Sequence, residues 1–277
     1  MNRRIWVIAD DYGLAPGVND GILTLIKAGR ISGTSCMTSF PSWEDDAARL
    51  KPLLGLAAVG LHLTLTDQLA VTGPSSLVAA KRLPSFAKLV AATSLGTIDR
   101  RCVHAELDMQ HSRFVEALGK QPDFIDGHQH VHFLPVVRDW LQAKFAESPG
   151  ACRPRLRGSP SLLAKADAAM VKVAAISALA FRFDSAMRKA GFEIMGPLSG
   201  IYDWRRPATF RHSLEKALTE LPDNGLFMCH PGTIDTVLKE RDSMLDARPV
   251  EQQALLSDHY AELLSRAGVS IRQGVAA

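Results

Sequence analysis

The sequence predicts an α/β fold, a distorted parallel (β/α) barrel that is TIM-barrel-like and has seven or eight strands. Short apolar runs alternate with longer segments of helical periodicity, and this alternation is typical of a parallel sheet with helices packed outside it. The 277 residues suit one barrel, which usually needs about 250. No GxGxxG motif follows the first apolar run, which disfavours an open dinucleotide-binding sheet.

Eight short, mostly apolar runs predict the strands. Ile5–Ala9 is apolar throughout, which indicates a strand that is buried on both faces. In chain order, the predicted strands are Ile5–Ala9, Thr34–Thr38, Ala57–Leu65, Phe124–His128, Arg155–Arg157, Glu193–Met195, Leu226–Cys229 and Val269–Arg272.

Helical patterns fill most of the intervals. Apolar spacing over residues 18–26 predicts the first helix. Ser42 is expected to cap a helix over Trp43–Leu50, because an acidic residue follows three positions later. Pro135 suits the first turn of a helix that continues to Phe145. Further helices are predicted from residue 103 to 118, over Ser161–Lys189, over 211–221 and over 249–266.

One long interval lacks clear periodicity. Residues 67–99 contain clusters of Gly, Pro and Ser, and we interpret them as a loop or lid inserted over one end of a single domain that spans residues 1–277. The composition, with 47% apolar and 22% charged residues, is that of an ordinary globular protein.

Charge, cysteines and the N-terminus exclude several classes. A net charge of +3 is too balanced to indicate a nucleic-acid-binding surface. The four cysteines form no CxxC pair, so we expect reduced thiols in a cytoplasmic protein. The apolar run Ile5–Ala9 stops at Asp10 and is shorter than the roughly 7–15 residues of a signal peptide. No stretch approaches the roughly 18 apolar residues of a membrane span.

Polar residues interrupt or follow several predicted strands. Asp10 and Asp11 follow the first strand, His62 interrupts the third, the run Asp126–His132 follows the fourth, and His230 follows Leu226–Cys229. Active sites of (β/α) barrels form at the carboxyl ends of the strands. We therefore expect these side chains to converge at one mouth of the barrel.

A metal site is one interpretation of this set. Asp11, His62 and His128 supply one carboxylate and two imidazoles, which suit a divalent cation and leave a position open for water. Asp10 is then available as a general base. The structural alternative is that the aspartate pair forms a turn or helix cap and that His62 is a hydrogen-bonded core residue. In the run Asp126–His132, strand alternation is expected to put the four polar side chains on one face or rim.

Further residues near the expected mouth are candidates for substrate binding. Tyr12, Phe133 and Trp204 carry rings that can stack on a sugar. His130 and His132 belong to the same group of candidates.

Four motifs together resemble one family. They are Ala9–Leu14 (ADDYGL), Gly60–Leu63 (GLHL), Asp126–His132 (DGHQHVH) and Cys229–Gly232 (CHPG). In this order they resemble the YdjC-like (ChbG-type) carbohydrate deacetylases, and the resemblance extends from about residue 4 to about residue 272. It implies a distorted barrel that removes N-acetyl groups from sugars such as chitooligosaccharides and releases acetate. A glycolipid amide and a homodimer are also consistent with the resemblance.

The resemblance also implies roles for individual residues. Asp11, His62 and His128 hold one divalent metal ion, Mg²⁺ or Zn²⁺. Asp10 is the base, and His230 protonates the leaving amine. An arginine of the strand after the histidine run, Arg155 with Arg157 as the alternative, orients Asp10 or the oxyanion.

Other functions fit the same residues. Two histidines and one carboxylate also describe the non-haem Fe(II) oxygenases, although that function leaves Asp10 and His230 without a role. A non-catalytic sugar-binding barrel and a metal-dependent phosphoesterase are the remaining alternatives.

Overall fold

The computed structural model describes residues 3–160 and 170–273. It confirms the predicted distorted parallel (β/α) barrel. The strands of the described residues are β1 (Arg3–Tyr12), β2 (Gly33–Cys36), β3 (Ala58–Leu63), β4 (Phe124–Gly127), β5 (Arg155–Arg157), β6 (Ile194–Met195), β7 (Leu198–Ser199), β8 (Leu226–Cys229) and β9 (Val269–Ile271).

All paired strands in the sheet are parallel, in the order β6-β5-β4-β3-β2-β1-β8-β7. β9 pairs with the first residues of β1. The two ends of this order approach each other just after β5, where the backbone N–H of Leu198 donates to the carbonyl of Ser159 at 2.9 Å. An isolated bridge between Pro160 and Leu198 adds to this contact. The barrel is therefore nearly closed.

β1 lies between β2 and β8 and is buried on both faces, which accounts for its apolar sequence. Ile5, Val7 and Ala9 belong to the large core that includes the surrounding helices. Trp6 and Ile8 belong to a second cluster, whose other members come mostly from strands around the barrel, so this cluster fills its interior. Because side chains alternate along a strand, the next residue on the interior face is Asp10, which is buried.

The helices surround this sheet. They are α1 (Pro16–Lys27), α2 (Trp43–Leu50), α3 (Phe86–Ser94), α4 (Arg100–Leu118), α5 (Pro135–Lys144), α6 (Met170–Leu179), α7 (Phe183–Lys189), α8 (Phe210–Glu220), α9 (Thr236–Arg241), α10 (Ala247–Leu256) and α11 (Asp258–Ala267). None of the helices within 3–160 and 170–273 is long and apolar enough to cross a membrane.

Several local expectations are wrong. Residues His128–Phe133 form a 3-10 segment in which Gln129 and His130 have positive φ, so the predicted strand alternation ends at Gly127. Ser42 makes no side-chain capping hydrogen bond, although the helix after it has the predicted bounds.

Other predicted elements are divided. The pattern over 249–266 forms two helices, because the Ser257 side chain caps α11 by accepting from the backbone N–H of Tyr260. The predicted helix over Ser161–Lys189 lies partly outside the described residues. Its described part contains α6 and α7, which are separated by Arg182 in the left-handed conformation.

The segment 67–99 contains α3, which the sequence did not predict. Its first part is fixed to α4 by Glu106, a fully buried carboxylate. Glu106 accepts from the backbone N–H groups of Val71 at 2.9 Å and Thr72 at 2.8 Å, and from the Thr72 hydroxyl at 2.6 Å. The segment is therefore held against the barrel by specific contacts.

Candidate metal and catalytic site

A cavity of about 530 Å³ lies at the carboxyl ends of the strands. We call its polar base the floor, which consists of Asp10, Asp11, His62, His128 and His230. The structure thus brings together the polar residues that end β1, β4 and β8 with His62 of β3.

Backbone geometry places two consecutive aspartates in one cavity. In a regular strand, the side chains of Asp10 and Asp11 would point to opposite faces. The pairing of β1 with β2 changes register between Ala9 and Tyr12, and Asp11 has a φ of +71°. This bulge turns the Asp11 side chain toward the same cavity, which is a typical use of a bulge beside an active site.

Asp10 forms a bidentate ion pair with Arg157. The guanidinium donates to Oδ2 at 2.7 Å and to Oδ1 at 2.5 Å, and it also pairs with Asp126. Arg157 is fully buried. Burial raises the pKa of Asp10, but attraction and hydrogen bonding from Arg157 outweigh it, so the pKa falls to about 2. Asp10 is therefore ionised at neutral pH.

Asp11, His62 and His128 present their ligand atoms to one point. Oδ1 of Asp11 lies 3.3 Å from Nε2 of His62 and 3.1 Å from Nδ1 of His128, and the three ligand atoms lie within 4.8 Å of one another. Nδ1 of His62 lies 2.7 Å from the Asp126 carboxylate. A carboxylate on the far ring nitrogen is the usual support for a metal-ligating histidine. This donor set fits a divalent cation.

The electrostatics also favour a cation. Burial lowers the pKa of His62, but the surrounding carboxylates of Asp126, Asp11 and Asp10 outweigh it and raise the pKa to about 10. The pocket around His62 is therefore negative enough to hold positive charge in a buried place.

A second buried arginine holds Asp11, the carboxylate of the candidate metal-ligand set. Nη2 of Arg248 donates to Oδ2 of Asp11 at 2.7 Å and also to Asp242 at 2.5 Å. Burial raises the pKa of Asp11, whereas Arg248 and the two histidines lower it, and the net pKa lies well below the ordinary value. The sequence did not predict Arg248, because it lies just before the helical pattern over 249–266 and far from every motif.

His230 faces Asp10 across the floor. Its Nε2 lies 3.8 Å from Oδ2 of Asp10. Burial lowers the pKa of His230 to about 4, although the neighbouring aspartates act in the opposite direction. The imidazole is therefore neutral at neutral pH in this arrangement.

Arg157, the alternative to the expected Arg155, is the arginine that contacts Asp10. Arg155 donates to Glu193 at 2.9 Å and lies over the Trp6 ring, away from Asp10. It pairs with Phe124 at the start of β4. Arg157 is the last residue of β5, so it reaches the carboxyl end of the barrel where Asp10 lies.

Three of the five residues expected to bind substrate do not line the cavity. The hydroxyl of Tyr12 donates to the backbone carbonyl of Asp46 at 2.6 Å inside the core. Phe133 and His132 are fully buried and pack against each other and against Phe183. His130 does line the cavity.

The rest of the cavity is mostly apolar. We call this part the wall, and it contains Phe86 and Val90 of α3, Ile176 and Leu179 of α6, and Met244. Trp204, a sequence candidate for ring stacking, also lines the cavity. The segment 67–99 therefore contributes to the cavity through α3.

The chain matches a family and several curated relatives. The family described as YdjC-like protein matches residues 4–266. A chitooligosaccharide deacetylase of Enterobacter sp. (strain 638) is 34% identical over 150 residues, which are 54% of this chain and 58% of that protein. One from Serratia marcescens is 32% identical over 151 residues, again 54% of this chain and 58% of the relative. The matched part thus spans somewhat more than half the length of these relatives.

Solved structures support the architecture. A structure from Enterococcus faecalis V583, whose name assigns it to cellobiose-phosphate cleavage, aligns with a TM-score of 0.72 at 21% identity and covers 98% of this chain and 97% of that chain. The Xyl-CE4 domain of a multidomain xylanase from the hindgut metagenome of Trinervitermes trinervoides aligns with a TM-score of 0.50 at 10% identity, covering 98% and 87%. At these identities the likeness concerns the fold alone.

Proposed function

This chain belongs to the YdjC-like family, and from that premise we propose that it is a metal-dependent hydrolase that removes the N-acetyl group of an amino sugar and releases acetate. The observation that carries the proposal is the floor, where a three-residue metal-ligand set lies beside an ionised aspartate and a histidine that face each other at 3.8 Å. The names of the curated relatives support the same reaction.

The proposed metal ligands are Asp11, His62 and His128, and the ion is Mg²⁺ or Zn²⁺. When bound, such a cation acts as a Lewis acid toward water and toward the amide carbonyl. Arg248 keeps the Asp11 carboxylate in place from its other oxygen, and Asp126 keeps the His62 ring in one tautomer.

Asp10 is the proposed proton acceptor. Its two oxygens are oriented by Arg157, so the carboxylate keeps one position while it accepts a proton from the attacking water. Its low pKa makes it a weak base, and its advantage is that it is always ionised near neutral pH.

His230 is the proposed proton donor to the leaving nitrogen. A neutral imidazole must first gain a proton, and Asp10 is the acidic group that its Nε2 faces. We therefore propose that the proton taken from water by Asp10 passes to His230, which then protonates the departing amine as the C–N bond breaks. One proton is taken up and one is delivered, so the floor returns to its starting state.

The apolar character of the cavity wall indicates which substrates the site favours. The hydroxyl and amide groups of an amino sugar such as N-acetylglucosamine or a chitooligosaccharide suit the polar floor. Gln129 and Lys172 add further polar groups to the cavity lining. The wall is better matched to a substrate that also carries an apolar part, as a glycolipid does, because contact with it removes apolar surface from water. Both substrate types belong to the proposal.

The setting of the reaction is also proposed. All four cysteines are free thiols, which favours a reducing compartment such as the cytoplasm. The homodimer stays a prediction.

The test is acetate release from N-acetylglucosamine, diacetylchitobiose and an N-acetylated glycolipid analogue. Metal-stripped protein is reloaded with Zn²⁺, Mg²⁺, Mn²⁺ or Co²⁺ and compared with the stripped protein. Acetate that depends on the added metal supports the proposal. Tight metal binding without acetate from any substrate contradicts it, and oxygen consumption with Fe²⁺ and a co-substrate would favour the oxygenase alternative.

A further inference from the structure

Helix α10 contacts the floor through two buried charged side chains that lie one turn apart. Arg248 donates to the metal-ligand Asp11. Glu251 accepts the backbone N–H of His230 on Oε2 at 2.5 Å. Both side chains are fully buried, and residues three apart on a helix share one face. The same helix face therefore supports two different parts of the site.

Glu251 does not line the cavity, so it has no direct route to substrate. Its second oxygen, Oε1, accepts a hydrogen bond from the Tyr202 hydroxyl at 2.5 Å. A buried carboxyl group is costly unless its oxygens are hydrogen-bonded, and these two contacts satisfy one oxygen each. Burial also raises the pKa of Glu251 to about 7. The structure thus maintains an ionisable group here for its contacts with Tyr202 and His230.

The His230 ring needs such support. Within the part of the chain that the structure describes, its Nδ1 has no hydrogen-bond partner, and its Nε2 is 3.8 Å from Asp10. The ring is therefore oriented mainly by the backbone that carries it. The next residue, Pro231, has no N–H, so the His230 N–H is the backbone donor nearest the ring. Beyond the proline, the N–H of Gly232 donates to the carbonyl of Arg248 at 3.3 Å.

We propose that Glu251 is a positioning residue for His230, with Tyr202 holding the Glu251 carboxyl in place. The inference rests on the proposed function of His230 as the proton donor. It assigns separate tasks to the two residues of α10, because Arg248 supports the metal ligand and Glu251 supports the proton donor. A change at Glu251 should therefore impair protonation of the leaving group and leave metal binding unchanged.

The test compares Glu251→Leu, which removes both acceptor oxygens, with Glu251→Gln. Glutamine can accept the His230 N–H with its oxygen and donate its NH₂ to the Tyr202 oxygen, so it restores both contacts without charge. On an N-acetylated sugar, we expect Glu251→Leu to lower kcat by about tenfold or more, since a small displacement of a catalytic group has effects of this size. KM and bound metal should stay close to wild type, and Glu251→Gln should recover most of kcat.

A second substrate separates positioning from general damage. Nitrophenolate leaves 4-nitrophenyl acetate without being protonated, so the hydrolysis of this ester does not need the proton donor. We expect Glu251→Leu to reduce ester hydrolysis far less than amide hydrolysis, with the same selectivity as His230→Ala. Tyr202→Phe should show a weaker form of the pattern. Tyr260→Phe is the matched control, because its buried hydroxyl has no partner among the described residues.

Equal losses on both substrates, or no loss on either, would overturn the positioning role. If wild-type protein releases no acetate from any amide, the proposed function fails instead. Crystal structures of wild type and Glu251→Leu test the positioning role without an activity measurement, so its failure can be distinguished from failure of the proposed function. An imidazole of His230 that keeps its wild-type position in the variant contradicts the inference, whatever the reaction is.

Discussion

The floor and the wall of the cavity differ in where they come from. The floor consists of residues at or near the carboxyl ends of β1, β3, β4 and β8, and each charged member has a fixed partner, such as Arg157 for Asp10. The wall comes from α3, α6 and the segment before α10, and its members contribute only apolar contact. The difference indicates that the sheet fixes the chemistry while added helices shape what the cavity admits.

The largest expected effect concerns the proposed metal ligands of the floor. His62→Ala removes one of the three proposed ligands, while Asp126 keeps its ion pair with Arg157, so we expect loss of bound metal and a fall of acetate release to background. Elemental analysis after dialysis measures the metal. His212→Ala on the exposed face of α8 is the control. Full metal content in His62→Ala would remove this residue from the ligand set.

The next effect concerns Asp10, the proposed proton acceptor. Asp10→Asn keeps the shape of the side chain but cannot accept the proton from water, and we expect kcat to fall by a factor on the order of 10² or more. Bound metal should stay unchanged, because the ligands belong to other residues. Asp139→Asn, at an exposed ion pair with Arg100, is the control. Near-native turnover in Asp10→Asn would show that another group accepts the proton.

The two arginines of β5 provide a stability comparison. Arg157→Met leaves Asp10 and Asp126 buried without their cation, and breaking such a buried pair costs about 3–5 kcal/mol. Arg155 pairs with an exposed glutamate, so Arg155→Met should cost less than about 1 kcal/mol. Urea unfolding of both variants measures the free energies. Equal costs would contradict the different placement of the two side chains.

The residues of the floor could largely be predicted from the sequence. Polar residues that end apolar strands are conspicuous, and a parallel barrel brings such ends together, so Asp10, Asp11 and His230 could be placed before the structure. The choice between Arg155 and Arg157 needed the strand bounds, since only the last residue of β5 reaches the mouth. A residue's position along the barrel axis is therefore as informative as its type.

The missed features lie where local pattern carries no long-range information. Arg248 and Glu251 occupy the inner face of a helix, and nothing in the spacing around them indicates that they reach β1 and β8. Tyr12 and Phe133 were placed near the mouth from their neighbours in sequence, whereas the bulge at Asp11 and the turn after Gly127 bury them. Backbone irregularities at the site are what sequence periodicity does not reveal.

A smaller effect is expected on the free energy of unfolding at acidic pH, through the carboxyl group of Asp10. The pKa of Asp10 falls from 3.8 to about 2 on folding because Arg157 outweighs burial. A lowered carboxyl pKa contributes stability above the unfolded value, and this contribution is lost as the pH falls from about 4 to about 2. It amounts to about 2 kcal/mol. Urea unfolding of metal-stripped protein should show that Asp10→Asn loses less stability than wild type over this range. Parallel curves for the two proteins would contradict the Asp10 shift.

The smallest effect concerns the wall, and it decides whether the wall contributes to substrate choice. Phe86→Ser and Leu179→Ser replace half-buried apolar side chains of α3 and α6 that line the cavity. For an N-acetylated glycolipid analogue, we expect KM to rise by about threefold to tenfold, since each loses roughly 1 kcal/mol of apolar contact. For diacetylchitobiose, KM and kcat should stay unchanged, because the floor is intact. Leu95→Ser, just after α3 and 76% exposed, is the control. Equal changes for both substrates would indicate that the wall supports the fold of the mouth and that the substrate lies on the floor alone.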